Sequence, residues 1–215
     1  MSKENIKPIR FYGQGKPNYL DKDLFENYFS DKRDGFYIEC GASDGIGFSN
    51  SLLFELEMGW TGINIEASPR QFKALLKNRP DSINLFLGLS NKNGVEMFKD
   101  VISAPGGGEG NGSFSHTDGH MKELIGYRCV FKEYLVPVLT YANVIEIFGV
   151  SNVDLFSLDV EGHELQVIEG MKGCDILPDI FCIEHSVVGQ ENLIKALPEY
   201  QFEKENYVNS IFRKR

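Results

Sequence analysis

The chain has 215 residues, of which 42% are hydrophobic and 25% are charged, a composition typical of a globular protein with one sizeable domain. Its formal net charge of −9 argues against a broad nucleic-acid-binding surface, and no apolar run approaches the roughly 18 residues that span a bilayer. The first residues lack the apolar core of a signal peptide, and the four cysteines form no C-x-x-C pair. We therefore expect a cytoplasmic protein with reduced thiols, no membrane segment and no nucleic-acid partner.

The first 35 residues are polar and contain one predicted helix, over 22–29, with Asp21 as its cap. We treat residues 1–35 as an N-terminal extension and 36–215 as one domain, because no linker or internal repeat interrupts the rest. Predicted strands alternate there with predicted helices, which indicates an α/β fold with a mostly parallel sheet and helices on both faces. The strands are predicted at 36–38, 60–66, 83–89, 95–98, 152–159 and 179–183, with a closing antiparallel pair at 200–207 and 211–214.

Polar and glycine residues mark the ends of the predicted helices. Residues 49–51 offer caps for a helix over 52–58 that Gly59 closes, and Ser68 caps a helix that stops at Pro80. Thr140 caps a third helix through residue 148, and further helices are predicted after residue 163 and over 192–197. Helical spacing predicts inward-facing side chains at Phe72, Leu75, Leu76, Leu165, Ile168 and Met171.

A glycine-rich turn follows the first predicted strand. Glu39 precedes it, and Gly41, Gly45 and Gly47 give it the pattern G-x-x-x-G-x-G. A strand, a glycine loop and a helix N-terminus form the first unit of a nucleotide-binding βαβ fold, in which the backbone can approach a ligand closely. The pattern therefore predicts a cofactor site at this loop.

Acidic residues end several predicted strands, and one histidine joins them. These residues are Glu39, Glu66, Asp159, Glu184 and His185. Because ligands of an open α/β sheet bind beyond the carboxyl ends of its strands, the five side chains predict a functional cleft at one rim.

Two classes of cofactor compete for this cleft. The two are dinucleotides such as NAD and the methyl donor S-adenosylmethionine. Glu66 suits the ribose hydroxyls of both, but the glycine spacing differs from the G-x-G-x-x-G of dinucleotide sites. A carboxylate at Glu39 would repel the pyrophosphate of NAD and would favour a cationic ligand such as S-adenosylmethionine. The residues therefore favour the methyl donor, with an NAD-dependent oxidoreductase as the alternative.

Residues 103–120 are rich in glycine and show no periodicity. A stretch of this kind within a domain is either flexible surface or a lid over a bound substrate. His116 and His120 have four-residue spacing, but a position in a loop rather than a helix argues against zinc.

Two segments resemble the FkbM family of class I methyltransferases. Residues 38–45, I-E-C-G-A-S-D-G, are similar to its first motif, and residues 158–164, L-D-V-E-G-H-E, are similar to its D-V-E-G-x-E signature. Residues 59–69 and 88–90 are also similar to blocks of that family. The resemblance runs from about residue 36 to 185 and implies a single Rossmann-like domain.

The resemblance also implies an activity and a set of binding residues. It implies an S-adenosylmethionine-dependent O-methyltransferase that acts on a sugar, a glycan or a small-molecule hydroxyl. The methionine end would lie at Glu39, Gly41 and Gly45, the ribose at Glu66, and the adenine near residues 88–90. The implied cofactor-binding set is Glu39, Gly41, Ala42, Asp44, Gly45, Glu66, Ala67, Leu89, Ser90 and Asp159.

Methyl transfer to a hydroxyl also needs a group that takes the proton. Asp159, His163 and His185 are the candidate catalytic residues. Asp159, Glu161, Glu184 and His185 are alternatively the ligands of a divalent cation, Mg²⁺ or Mn²⁺, because oxygen donors with one histidine suit such ions. A non-catalytic ligand-binding module with the same fold remains an alternative.

Overall fold

The computed structural model describes residues 9–106 and 110–215, so residues 1–8 of the predicted extension and the middle of the predicted lid lie outside it. The strands are β1 (Phe36–Cys40), β2 (Thr61–Glu66), β3 (Ile83–Phe86), β4 (Gly88–Leu89), β5 (Gly94–Ser103), β6 (Val130–Leu139), β7 (Leu155–Leu158), β8 (Ile180–Glu184), β9 (Tyr200–Asn206) and β10 (Asn209–Lys214). The helices are α1 (Leu20–Leu24), which continues as a π-helical turn (Phe25–Phe29), α2 (Leu52–Met58), α3 (Pro69–Asn78), α4 (Asp118–Gly126), α5 (Tyr141–Phe148), α6 (Glu164–Glu169) and α7 (Gln190–Ala196).

Seven strands form the main sheet in the order β3-β2-β1-β7-β8-β10-β9. The pairs from β3 to β8 are parallel, and β10 pairs antiparallel with both β8 and β9. The predicted α/β class and the closing antiparallel pair are therefore confirmed. The chain order reverses between β1 and β7, which is where ligands of open α/β sheets bind.

Both faces of the main sheet are buried. Successive side chains of a strand point to opposite faces, so Tyr37 of β1 packs with α1 and α2 while Ile38 packs with α5, α6 and α7. Leu20 and Leu24 of α1 are fully buried in the first of these layers. Among the described residues, no helix has the length and apolar character that a membrane crossing needs.

Several helix ends lie where the sequence predicts them. Gly59 ends α2 in the left-handed conformation with φ of 71°, and the Ser68 and Thr140 side chains cap α3 and α5. The predicted cap at Asp21 is wrong, because α1 begins at Leu20 and Asp21 lies in its first turn.

A second, three-stranded sheet has the order β4-β6-β5. The sequence predicts one strand over 83–89, but the chain bends at Leu87 and divides it between the two sheets. The strand predicted over 95–98 is longer, with ten residues, and pairs antiparallel with β6. Leu76 and Leu165, predicted to face inward, are 49% and 36% exposed.

Candidate active site

A cleft opens at the carboxyl ends of β1, β2 and β7. The glycine loop forms one wall, residues 87–89 with Phe98 and Asp100 of the small sheet form another, and residues 157–161 form the floor. Gln14 closes the cleft from the N-terminal side, and Phe114 covers it from the segment after β5. The predicted rim is therefore a cleft, although not every predicted residue faces it.

The glycines of the loop are required by close packing. Gly41 has φ of 84°, and a Cβ there would lie 1.8 Å from the carbonyl oxygen of Asp159. Gly45 has φ of 80° and lies against Leu75 and Arg79 of the α3 region. Gly41 lines the cleft together with Ala42, whereas Gly45 packs beneath the loop.

Asp44 shapes the loop through its own backbone. Its Oδ1 accepts hydrogen bonds from the amides of Ile46 (2.9 Å) and Gly47 (2.8 Å). Phe48 follows with φ of 61° and a side chain that is 69% exposed at the mouth of the cleft. Such an exposed aromatic ring is available to a ligand.

Glu39 is satisfied within the chain. Its carboxylate accepts hydrogen bonds from the Ser49 hydroxyl (2.7 Å), the Asn50 amide (2.7 Å) and the Ser51 hydroxyl (2.6 Å). The fully buried guanidinium of Arg79 lies 3.8 Å away and offsets its charge. The side chain thus fixes the start of α2, and its remaining capacity for a ligand is small.

Glu66 ends β2 and faces the glycine loop. Its two oxygens accept from the amides of Ser43 (2.7 Å) and Ser68 (2.6 Å), and burial raises its pKa to about 7. Asp100 of β5 lies next to it and accepts from the Ser68 hydroxyl at 2.9 Å. Asp100 is 3% exposed and lines the cleft, and the sequence missed it because the predicted strand ends at residue 98.

Leu89, Ala67 and Ser90 surround the same end of the cleft at different depths. Leu89 and Ala67 line it. Ser90 is fully buried behind them, where its hydroxyl lies 3.2 Å from His163 Nε2 and 3.1 Å from Glu96.

Three carboxyl groups meet at the floor of the cleft. Asp159, Glu161 and Glu184 each place an oxygen within 4.8 Å of the others. Burial raises the pKa of all three. The charge of Asp159 raises the pKa of the other two further, to about 8 for Glu161 and about 10 for Glu184, whereas the hydrogen bonds of Asp159 with Glu184 and Gln14 act in the lowering direction on its own pKa. Glu184 Oε2 is buried without a hydrogen-bond partner among the described residues.

The two predicted histidines do not join this group. His185 Nδ1 lies 3.0 Å from the Ser210 hydroxyl of β10 and does not line the cleft. Successive side chains at a strand end point in opposite directions, so Glu184 and His185 cannot both face Asp159. His163 is 3% exposed between Ser90 and Ser115, and burial lowers its pKa to about 4.

The described part of the predicted lid is docked on the cleft. Ser113 pairs with Lys99 of β5, and the Phe114 ring lies 5.0 Å from that of Phe98. Asn111 donates to Glu161 Oε1 at 2.5 Å, and His120 Nε2 lies 3.7 Å from Glu161 Oε2.

The placement of His120 in a loop is wrong. Thr117 caps α4 at the amide of His120, which therefore belongs to the first turn of a helix. His116 precedes the helix, and its ring centroid lies 5.1 Å from that of His120.

The charges that line the cleft have one sign. The lining residues that the structure describes include five acids, Glu39, Glu66, Asp100, Asp159 and Glu161, and no lysine, arginine or histidine. Arg79 offsets one of these carboxylates from beneath the loop. Because the pKa of Glu66 is raised to about 7 and that of Glu161 to about 8, these two groups carry only part of a negative charge at neutral pH. With acids and no base among its described lining residues, the site is suited to a neutral or cationic ligand.

The reversal of strand order at β1, the glycine loop and the acid that ends β2 define a Rossmann-like fold of the class I methyltransferase type. The chain belongs to the FkbM methyltransferase family, because the sequence model of the Methyltransferase FkbM domain matches residues 39–206.

Solved structures share this fold. The methyltransferase FkbM from Methylobacillus flagellatus KT aligns with a TM-score of 0.55 and 13% identity, over 94% of this chain and 48% of that protein. The putative methyltransferase yhhF from Escherichia coli aligns with a TM-score of 0.52 and 9% identity, over 97% and 90% of the two chains. The chain thus spans about half the length of the Methylobacillus protein. A comparison with curated protein sequences gave no match.

Proposed function

We propose that the chain is an S-adenosylmethionine-dependent methyltransferase that acts on a hydroxyl group of a sugar, a glycan or another small molecule. The observation that carries this proposal is the one-sided set of ionisable groups in the cleft, which has five carboxyl groups and no base among its described lining residues. A sulfonium with an ammonium group is attracted to such a site, whereas the pyrophosphate of NAD is repelled. The same charge disfavours phosphorylated and carboxylated acceptors.

The adenosine would lie between the glycine loop and the small sheet. Glu66 is the acceptor for the ribose hydroxyls, which would bind the lone pairs that the Ser43 and Ser68 amides leave free. Leu89, Phe98 and Phe114 supply an apolar wall for the adenine. Asp100 lies at the same end and would accept from the ligand's N–H or O–H groups.

Asp159 would take part at the reacting end. The acceptor oxygen attacks the methyl carbon, the carbon–sulfur bond breaks with its electron pair going to sulfur, and the hydroxyl proton passes to a base. Asp159 lines the cleft, while His163 and His185 are held elsewhere by hydrogen bonds to serines. Asp159 is therefore our candidate base, and positioning of the two substrates supplies most of the rate.

A divalent cation is a second role for the same carboxylates. Asp159, Glu161 and Glu184 offer the hard oxygen ligands that Mg²⁺ and Mn²⁺ prefer, and the unpaired Glu184 Oε2 would gain a partner. Chelator, followed by addition of either ion, tests this role. If neither methyl transfer nor the melting temperature responds to these treatments, the cation-binding role is refuted and Asp159 remains the candidate base.

Calorimetry tests the cofactor. Wild-type protein is titrated with S-adenosylmethionine and with NAD. Glu66→Ala is expected to weaken binding of S-adenosylmethionine by about 1.5–3 kcal/mol, the value of hydrogen bonds to a charged group. A methyl-transfer screen over neutral glycans and polyols, with sugar phosphates as the contrast, tests the acceptor class. Binding of NAD without S-adenosylmethionine would favour the oxidoreductase. Cofactor binding without transfer to any acceptor would favour a binding module.

A further inference from the structure

The N-terminal residues reach the reacting end of the cleft. Gln14 lines the cleft although it is 145 residues from Asp159 in the sequence, and its Nε2 donates to Asp159 Oδ2 at 2.8 Å. The sequence gives no sign of this contact, because residues 9–19 lie before the first helix and carry no recognisable motif.

Main-chain contacts hold this segment, which we call the N-terminal strap (residues 12–14). The Tyr12 amide donates to the buried Asp21 at 2.7 Å, and the Leu20 amide donates to the Gln14 carbonyl at 2.9 Å. Gly13 forms a parallel bridge with Phe48 of the glycine loop. A Cβ at Gly13 would lie 2.8 Å from Asn50 Oδ1 and from the Asp21 amide, so the backbone packs closely on both sides. None of these contacts uses the Gln14 side chain.

A second residue fixes the orientation of the Gln14 amide. Asn209 Nδ2 donates to Gln14 Oε1 at 3.0 Å, and Asn209 is 2% exposed at the start of β10, where it pairs with Glu184 of β8. A flipped amide would place its oxygen against the Asp159 carboxylate and its NH₂ against the NH₂ of Asn209. Only the observed orientation satisfies both neighbours.

We propose that Gln14 is a positioning residue for methyl transfer, which holds the Asp159 carboxylate in one orientation at the floor of the cleft. This inference rests on the proposed function. A donor on Oδ2 fixes the rotation of the carboxylate about its own axis and so aligns it with the acceptor hydroxyl or with a bound cation. Small displacements of a reacting group are costly to turnover, and groups that orient such residues typically change activity 10–100-fold.

The test compares Gln14→Met with wild-type protein on an acceptor found by the methyl-transfer screen. Methionine keeps the length of the side chain and removes its hydrogen bonds, while the main-chain contacts of the strap remain. We expect kcat to fall about 10–100-fold, as for other orienting groups, with the Kd for S-adenosylmethionine and the melting temperature nearly unchanged. Gln201→Met, at an exposed position of β9, is the matched control and should behave like wild type.

Asn209→Leu adds a double-mutant cycle. Loss of the orienting donor should lower kcat in the wild-type background and have no further effect in the Gln14→Met background, because contacting residues are coupled. Additive losses in kcat would mean that Asn209 acts independently of Gln14, and would overturn its part in orienting the amide. A loss in melting temperature or cofactor affinity with kcat intact would mean that Gln14 only supports the fold. If wild-type protein turns over and Gln14→Met is as fast, the positioning role alone is refuted. If wild-type protein methylates nothing, both proposals fall.

Discussion

Replacement of Arg79 by methionine is the sharpest test of how the glycine loop is held. The side chain is fully buried. Its guanidinium donates to Glu55 Oε2 (2.6 Å), the Tyr37 hydroxyl (2.7 Å) and the Gly45 carbonyl (3.1 Å), and it lies 3.8 Å from Glu39. One cation therefore offsets two carboxylates and binds the loop backbone. Methionine would fill most of the volume and remove all of these bonds.

The expected loss is large because the partners stay behind without a cation. Removal of one member of a buried ion pair typically costs 3–5 kcal/mol, and a change of 1 kcal/mol shifts the melting temperature of a 150–250-residue protein by about 2–4 °C. Arg79→Met should therefore melt about 6–20 °C below wild type. Arg79→Lys keeps the charge but loses the planar guanidinium, so its melting temperature should lie between those of wild type and Arg79→Met.

Urea unfolding measures this loss, with the single tryptophan as the probe. Trp60 is 2% exposed in the layer formed with Phe29 and Phe54, so its fluorescence reports on the core. Arg70→Met is the matched control, since Arg70 is exposed at the start of α3, the helix that Arg79 follows, and its replacement should change the free energy of unfolding by less than about 0.5 kcal/mol. A loss below about 1 kcal/mol for Arg79→Met would refute the ion-pair reasoning.

Three further outcomes are expected. Gly41→Ala should lower the affinity for S-adenosylmethionine at least tenfold in calorimetry, because the new Cβ would lie 1.8 Å from the Asp159 carbonyl oxygen and the loop must move. Phe48→Ser should weaken ligand binding in the same assay while changing the unfolding free energy by less than about 0.5 kcal/mol, because the ring is 69% exposed. Burial raises the pKa of Asp21 to about 6. The unfolded chain releases this proton first, so as pH rises from about 4 to 6 the unfolding free energy should fall by up to about 3 kcal/mol more in wild type than in Asp21→Asn.

The parallel core could be predicted because its signals are local. Each central strand is a short apolar run that is buried on both faces, and helix caps such as Ser68 and Thr140 follow directly in the sequence. The antiparallel pair of β5 and β6 lacks such a signal. Val95 and Met97 are 60% and 50% exposed while Phe98 and Val101 are buried, so apolar residues occupy both of its faces. The length of β5, and therefore the place of Asp100 in the strand, could not be predicted from that pattern.

The candidate site depends on contacts between distant segments, and these are what the sequence hides. Arg79 stands in the sequence as a base at the end of a helix, a common position near the negative end of the helix dipole. Its pairing with Glu39 arises only when the C-terminal end of α3 meets the glycine loop and α2. Gln14 likewise meets Asp159 only after the strap crosses the glycine loop.

The charge of the cleft also bears on how a reaction cycle would end. Transfer of the methyl group turns a sulfonium into a neutral thioether, and the acceptor's proton passes to a carboxylate. Both changes weaken the attraction between the cofactor and the uncompensated acids Glu66, Asp100 and Asp159. The product would therefore bind more weakly than the methyl donor, a difference that calorimetry with both compounds measures; equal affinities would contradict this reasoning. The same acids that would select the proposed cationic cofactor would in this way favour release of its neutral product.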